Sequence, residues 1–352
     1  MESTLSEKAI VKDYRSYSYK KISFILVLVI FLVLLALFSL GIGAVNLSVG
    51  ETLGALLGTK SGLAPTIIWN IRLPRVLTAI LVGAGLAVAG AALQSLLRNP
   101  LASPYTLSIS HSAAFGAAFS IVVLHAGSSG VIVSNPYVTT VSAFGWSFVT
   151  VVLIVLLGRL KSSTPVTLIL TGIALGSLFT AGYTVMQYFA DQTELSSIVF
   201  WTFGDVGRAT WGQLALMSAV VIPSLAYFAY NGWRYRAMSS GDDTAKSLGL
   251  NPARMRLQGT LIAGLITSLL VSFVGIIGFV GLVVPHMIRR FIGGEERFLM
   301  PASCLLGGFL LLGSDTAART VVAPIVLPVG ILTSFLGVPL FIYLVIRGKE
   351  YW

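Results

Sequence analysis

LQGTLIAGLITSLLVSFVGIIGFVGLVVPHMI, residues 257–288, runs for 32 residues without a charged side chain. As one α-helix it would be about 48 Å long at 1.5 Å per residue, against a bilayer core of about 30 Å. Gly275, Gly278 and Gly281 cluster near its middle. The run therefore predicts two shorter helices with a break between them. The break also sets parity, because one helix or two places everything after residue 288 on opposite sides of a membrane.

Working outward, the 352 residues are 56% hydrophobic and 10% charged, with a mean hydropathy of +0.90. This composition excludes an ordinary soluble domain and predicts an all-α polytopic membrane protein. Further apolar spans are expected at 22–42, 76–97, 104–124, 138–158, 166–189, 213–231, 299–316 and 329–346. With the broken run they make ten transmembrane helices in one domain, 22–348. Residues 1–21 carry both signs of charge and read as a cytoplasmic N-terminal arm before a retained first span. The loop 232–256 is the long cytoplasmic connection.

Charge supports the break. With ten spans and both termini cytoplasmic, only Lys60, Arg72, Arg75, Arg208 and Arg319, of the 23 lysines and arginines, fall outside. An unbroken helix would degrade the inside-to-outside ratio from 18:5 to 14:9, so the positive-inside rule favours two helices. The formal net charge of +10 follows from this orientation rather than from nucleic-acid binding. The lone Cys304 excludes an internal disulfide framework, and His111, His125 and His286 lack metal-ligand spacing. No catalytic constellation is evident, and no GxxxxGK[ST] loop occurs. Coupling to ATP must then come from a partner.

Three patterns stand out. SSGDDTAKSLGLNPARMR, from Ser239, predicts a short amphipathic helix capped by Ser239 or Ser240, with Asp242 and Asp243 at its positive end. Ala245 and Leu248 are expected to share a face, and Gly249 with Pro252 to stop it. Such a helix reads equally as a docking element or as an ordinary loop helix. Gly172, Gly176 and Thr180 recur every four residues, a stripe for close helix packing or for lining a passage. Asp315 and Arg319 are spaced as a helical ion pair, which would lower the cost of an acid within a span.

Taken together, IRLPRVLTAILVGAGLAVAGAALQSLLRNPLASPYTL (71–107), GDDTAKSLGL (241–250), GIIGFVGLVVPHMIRR (275–290), SDTAAR (314–319) and LPVGILTSFLGVPLF (327–341) resemble the FecCD-type permeases of type II ABC importers. The resemblance covers about residues 25–348. It implies a ten-helix permease fold, a homodimer with the path between subunits, and transport of an iron siderophore, haem or cobalamin. Two cytoplasmic ATPase subunits, holding the ATP and Mg, would dock on Asp242, Asp243, Ala245, Lys246, Leu248 and Gly249. An extracytoplasmic binding protein would meet Arg72, Arg75 and Arg319. The chain departs from the family pattern at Ser108, His111, Ser112, Asp205 and Val326. A secondary transporter driven by an ion gradient is the alternative from a different class, and it requires ionisable groups at the midplane.

Overall fold

A computed structural model describes residues 2–43, 45–126, 136–160 and 163–347, and all regular structure among them is helical. Lys161 and Lys349, both counted above as cytoplasmic, lie outside the described residues. The helices are α1 (Glu2–Gly41), α2 (Val49–Leu56), α3 (Leu63–Ile67), α4 (Leu73–Leu97), α5 (Ile109–Val122), α6 (Pro136–Leu160), α7 (Pro165–Phe189) and α8 (Gln192–Thr202). They continue as α9 (Trp211–Tyr230), α10 (Gly232–Ser239), α11 (Asp242–Ser247), α12 (Pro252–Val274), α13 (Val280–Ile292), α14 (Glu296–Thr320) and α15 (Val329–Arg347). A π-helical turn, Ile68–Arg72, leads from α3 into α4.

Seven of these elements are long and apolar enough to cross a membrane: α1 from Tyr17, α3 with α4, α6, α7, α9, α12 and α14. The shorter helices α5 and α15 are also apolar. Exposed aromatics mark both ends of α9, with Trp211 beside Trp69 at its start and Tyr230 followed by Trp233 at its end. Amphipathic rings favour the membrane–water boundary, so these pairs delimit the apolar slab.

The core forms around α4. Its residues are buried on every side from Val82 to Leu97, as a helix apolar all round requires. Helices α14, α12, α13 and α9 surround it. Small residues set the closeness of two crossings. A Cβ added at Gly83 would lie 2.2 Å from the Gly307 carbonyl oxygen, and one added at Gly90 would lie 1.7 Å from that of Gly281. The sequence reading had picked out a different stripe, on α7.

The decisive run breaks where expected. Helix α12 ends at Val274, Gly275 turns the chain with φ 77°, and α13 restarts after Phe279. Phe279 has φ 64°, a strained conformation for a bulky side chain and one that tends to mark functional sites.

Other boundaries move. The span expected from 104 begins at Ile109, because residues 104–108 form turns that end on left-handed Ser108, φ 63°. The loops 43–75 and 190–212 contain α2 and α8, each opened by a capping box, Ser48 with Glu51 and Asp191 with Glu194. The S-x-x-E and D-x-x-E spacings are the signal by which the sequence reading, which places loops at both segments, could have found these helices. Neither Ser239 nor Ser240 caps α11. Its N-cap is Gly241, and the Ser239 hydroxyl instead bonds back to the Arg236 carbonyl in α10.

Candidate functional site

At the end of the bundle where α4 begins, four elements bring charge together. Arg75 donates to both oxygens of Asp315, at 2.8–3.1 Å, and reaches Asp205 at 3.4 Å. Arg319 donates to Asp315 Oδ2 at 3.1 Å and to the Ser39 hydroxyl of α1 at 2.7 Å. Arg72 caps the end of α1, donating to the carbonyls of Gly41 at 2.9 Å, Leu40 and Val45. Asp315 is fully buried. Two guanidinium groups and four ion-pair hydrogen bonds thus compensate a carboxylate that could not stand alone there.

The three arginines singled out in the sequence therefore do converge, and their side chains turn inward. Arg72, Arg319 and Arg75 have side-chain exposures of 6%, 9% and 17%. The cluster holds three cations against Asp315 and Asp205, so it keeps one net positive charge. Asp205, 39% exposed, is its most accessible member.

From this cluster, contacts lead to the helix break. The Asp205 N–H donates to the Val274 carbonyl at 2.7 Å, at the last residue of α12. A Cβ on Gly204 would lie 2.4 Å from the Ile276 carbonyl oxygen, and one on Gly330 would lie 2.4 Å and 2.6 Å from those of Phe203 and Ile276. The 203–205 loop, the break and the start of α15 are locked together at backbone distance.

Beside the break lies a cavity of about 730 Å³. Phe279 and Gly278 form one wall, Tyr105 and Pro104 of the turn before α5 another, and Ser334 and Phe335 of α15 a third. Its polar side chains are hydroxyls, and among the described residues no charged side chain lines it. Such a space suits a bulky solute held by shape and weak contacts rather than by ion pairs.

The opposite end of α4 meets α11. Arg256, 2% exposed, donates to the Leu96 carbonyl at 3.1 Å and pairs with Asp242, which Arg98 also approaches at 3.4 Å. Burial pushes the Asp242 carboxyl up, but the hydrogen bond and charge of Arg256, with Arg98 and Lys246, hold it below the ordinary carboxylate value. Ala245 is fully buried whereas Leu248 is 57% exposed. The two therefore do not share a buried face: Ala245 packs inward, while Leu248, the C-cap of α11, faces out. Asp243 and Lys246 pair with each other on the exposed side. Gly249, φ 79°, closes the turn.

A further network was missed by the sequence reading. Arg289 of α13 pairs with Gln94, bonds Ser95 at 3.3 Å and lies 3.9 Å from Glu296. Gln94 in turn donates to the Leu282 carbonyl at 3.1 Å. Glu296, 2% exposed, is a second buried acid, hidden in the sequence because α14 starts three residues earlier than hydropathy suggests. It fixes α13 against α4 and α14.

Gly172 and Gly176 are buried against the turn that leads into α5. The Ser108 hydroxyl donates to the Gly172 carbonyl at 2.6 Å, and a Cβ on Gly176 would lie 2.1 Å from that hydroxyl oxygen. Thr180 is exposed. Among the described residues no group of three His, Cys, Asp or Glu could hold a metal.

An all-helical bundle with a broken helix beside an apolar cavity, bounded by charge clusters at both ends, defines a multi-pass membrane permease. Residues 29–347 match the FecCD transport family, and the chain belongs to it. It is similar to a protein of Methanocaldococcus jannaschii named as an ABC transporter permease, MJ0087, with 52% identity over 96% of this chain and 98% of that one. It is 39% identical to the hemin transport system permease protein HmuU of Yersinia pestis, over 92% and 95% of the two chains. Relatives 34–37% identical over at least 88% of the chain are named for import of Fe(3+)-citrate in Bacillus subtilis, vitamin B12 in Vibrio cholerae and molybdate in Haemophilus influenzae. A solved structure described as a metal-chelate type ABC transporter in an inward-facing conformation superposes with a TM-score of 0.81, at 32% identity, covering 92% of this chain and 99% of that one. The chain is thus an ABC importer permease of the cell membrane, in a family that works with ATPase and binding-protein partners.

Proposed function

We propose that the chain carries a bulky metal chelate inward, an iron siderophore or haem first and cobalamin as the alternative, along a path formed with a second copy. Ten helices cross the membrane in this reading: the seven long spans, α5, α15 and the short α13. Both termini face the cytoplasm, as does α11. Two ATPase subunits, which bind the ATP and Mg, dock on the exposed Asp243, Lys246, Leu248 and Gly249, while Asp242 and Ala245 hold α11 to the permease body. An acidic binding protein delivers the chelate over Arg72, Arg75 and Arg319, competing with Asp205 for Arg75.

The observation that carries this reading is the cavity at the break, joined to Arg75 through residues 203–205 and to α11 through the buried α4. A site open to one side at a time needs a bistable element that both partners can bias, and the break offers one. Relatives named for both hemin and vitamin B12 support a large chelate. None of the three buried acids among the described residues lies free in the cavity, since Asp315 and Glu296 are paired and Glu194 closes the capping box of α8, which disfavours an ion-gradient mechanism.

The test is uptake of radiolabelled ferric siderophore, hemin and cobalamin into proteoliposomes holding the permease with its ATPase and binding protein. ATP-dependent uptake of one of these is expected, and uptake driven by an ion gradient without ATP would overturn the reading. Topology is checked separately with Gly294→Cys, on an open surface. A membrane-impermeant thiol reagent should reach it only from the cytoplasmic side.

A further inference from the structure

A second cavity, of about 510 Å³, lies where α9 ends and α12 begins. Arg234, Asn251, Arg254 and Gln258 line it together with Tyr227 and the α11 exit at Gly249 and Leu250. Among the described residues its lining contains donors and no carboxylate. The nearby acids are engaged elsewhere: Asp242 with Arg256 and Arg98, Glu295 with Lys21 and Arg236, and Glu296 with Arg289. Neither Arg234 nor Arg254 forms an ion pair among the described residues. The Arg234 Nε is buried with no hydrogen-bond partner among the described residues, so no protein acceptor there competes with a ligand for the guanidinium. Asn251 accepts the Arg254 backbone N–H at 3.0 Å through Oδ1, which leaves its amide N–H groups to donate.

The cavity lies at headgroup depth. Tyr230 and Trp233, 81% and 54% exposed, flank it at the boundary of the apolar slab, and the Arg234 guanidinium sits 5.5 Å from the Trp233 ring. Guanidinium pairs match phosphate oxygens, and basic pockets between spanning helices at this depth take acidic headgroups.

We propose that this cavity binds a phosphate-bearing anion, supplied by the headgroup of an acidic phospholipid, with Arg234 and Arg254 as the ligating pair. An occupant would brace the 249–251 segment from which α11 leaves the membrane surface. The site needs only the membrane placement of the chain and is independent of what the permease carries.

The experiment is native mass spectrometry of the detergent-purified permease titrated with phosphatidylglycerol, phosphatidylcholine or inorganic phosphate. The wild type should retain one phosphatidylglycerol per chain in preference to phosphatidylcholine, and so should the control Arg159→Gln. The double variant Arg234→Gln with Arg254→Gln should lose that retention by about tenfold or more, as expected for lost charge-assisted hydrogen bonds. Arg254→Gln alone, on an exposed side chain, gives the same readout should the double variant fail to fold. Equal retention of the two lipids, or retention unchanged in the variants, would overturn the site. Displacement of phosphatidylglycerol by millimolar inorganic phosphate would overturn the lipid as its source.

Discussion

Arg75 and Asp205 meet at 3.4 Å across 130 residues of sequence, while the same guanidinium grips the buried Asp315 at 2.8 Å. The two acids differ in kind. Asp315 has no access to solvent, whereas Asp205 is 39% exposed. Replacing Asp205 with serine should therefore change stability by at most about 1 kcal/mol, the range of a partly exposed pair. It should also free Arg75 for an incoming acid. Capture of the binding protein in a pull-down should strengthen at low salt and converge with the wild type at high salt. Capture unchanged by Asp205→Ser would remove Asp205 as a competitor, and capture unchanged by joint charge reversal of Arg72, Arg75 and Arg319 would remove the docking site.

Asp315→Asn should behave very differently. It leaves two largely buried guanidinium groups facing a neutral amide, a loss of about 3–5 kcal/mol for a broken buried pair. Chemical denaturation in detergent should rank it as far less stable than Asp205→Ser. Equal stability of the two variants would mean that Asp315 is not the anchor of the cluster.

Leu248→Asp tests the other end. Leu248 is exposed, so the permease should fold and melt as the wild type does. Co-purification of the ATPase should nevertheless fall, because an apolar contact is replaced by a charge that must be desolvated. Unaltered co-purification and transport would exclude Leu248 from the docking surface.

Acid should loosen α11 through Asp242. Its folded value is depressed, so the stability it contributes is fully present above its unfolded value and disappears as pH falls through the folded one. The melting difference between wild type and Asp242→Asn should stay constant from about pH 7 to about pH 5 and shrink below about pH 4. A difference that grew in acid would contradict the Arg256 pairing.

The α4–α13 crossing gives a packing test. Gly90→Ala places a methyl 1.7 Å from the Gly281 carbonyl, an overlap that backbone must relieve at a cost of about 1–3 kcal/mol or more. Gly50→Ala, with nothing within 4 Å, should be nearly silent in the same thermal assay.

Much of this architecture was legible in the chain because hydropathy and helical rise are local. The 257–288 run announced its own break, and charge bias pointed to the same parity. The charge count set five cations apart from eighteen, and the family resemblance then singled out Arg72, Arg75 and Arg319 among the five. Their partners could not be read, since which carboxylate faces which guanidinium depends on how α4, α14 and the 203–205 loop cross. Asp205 appeared only as a departure from a pattern. Arg256 looked like one more cytoplasmic cation, and Glu296 like a loop acid, because both lie just outside the apolar windows. The face expected for Ala245 and Leu248 is not a buried one, because a helix as short as α11 packs only one turn against the body and leaves its C-cap, Leu248, exposed.

Helix α4 carries Arg75 at one end and the Leu96 carbonyl held by Arg256 at the other, and between them no face is free to slide past its neighbours. In the proposed cycle, a load applied to such a shaft at one membrane surface would arrive at the other as a tilt of the whole helix, so that delivery of cargo and consumption of fuel would act on one solid part.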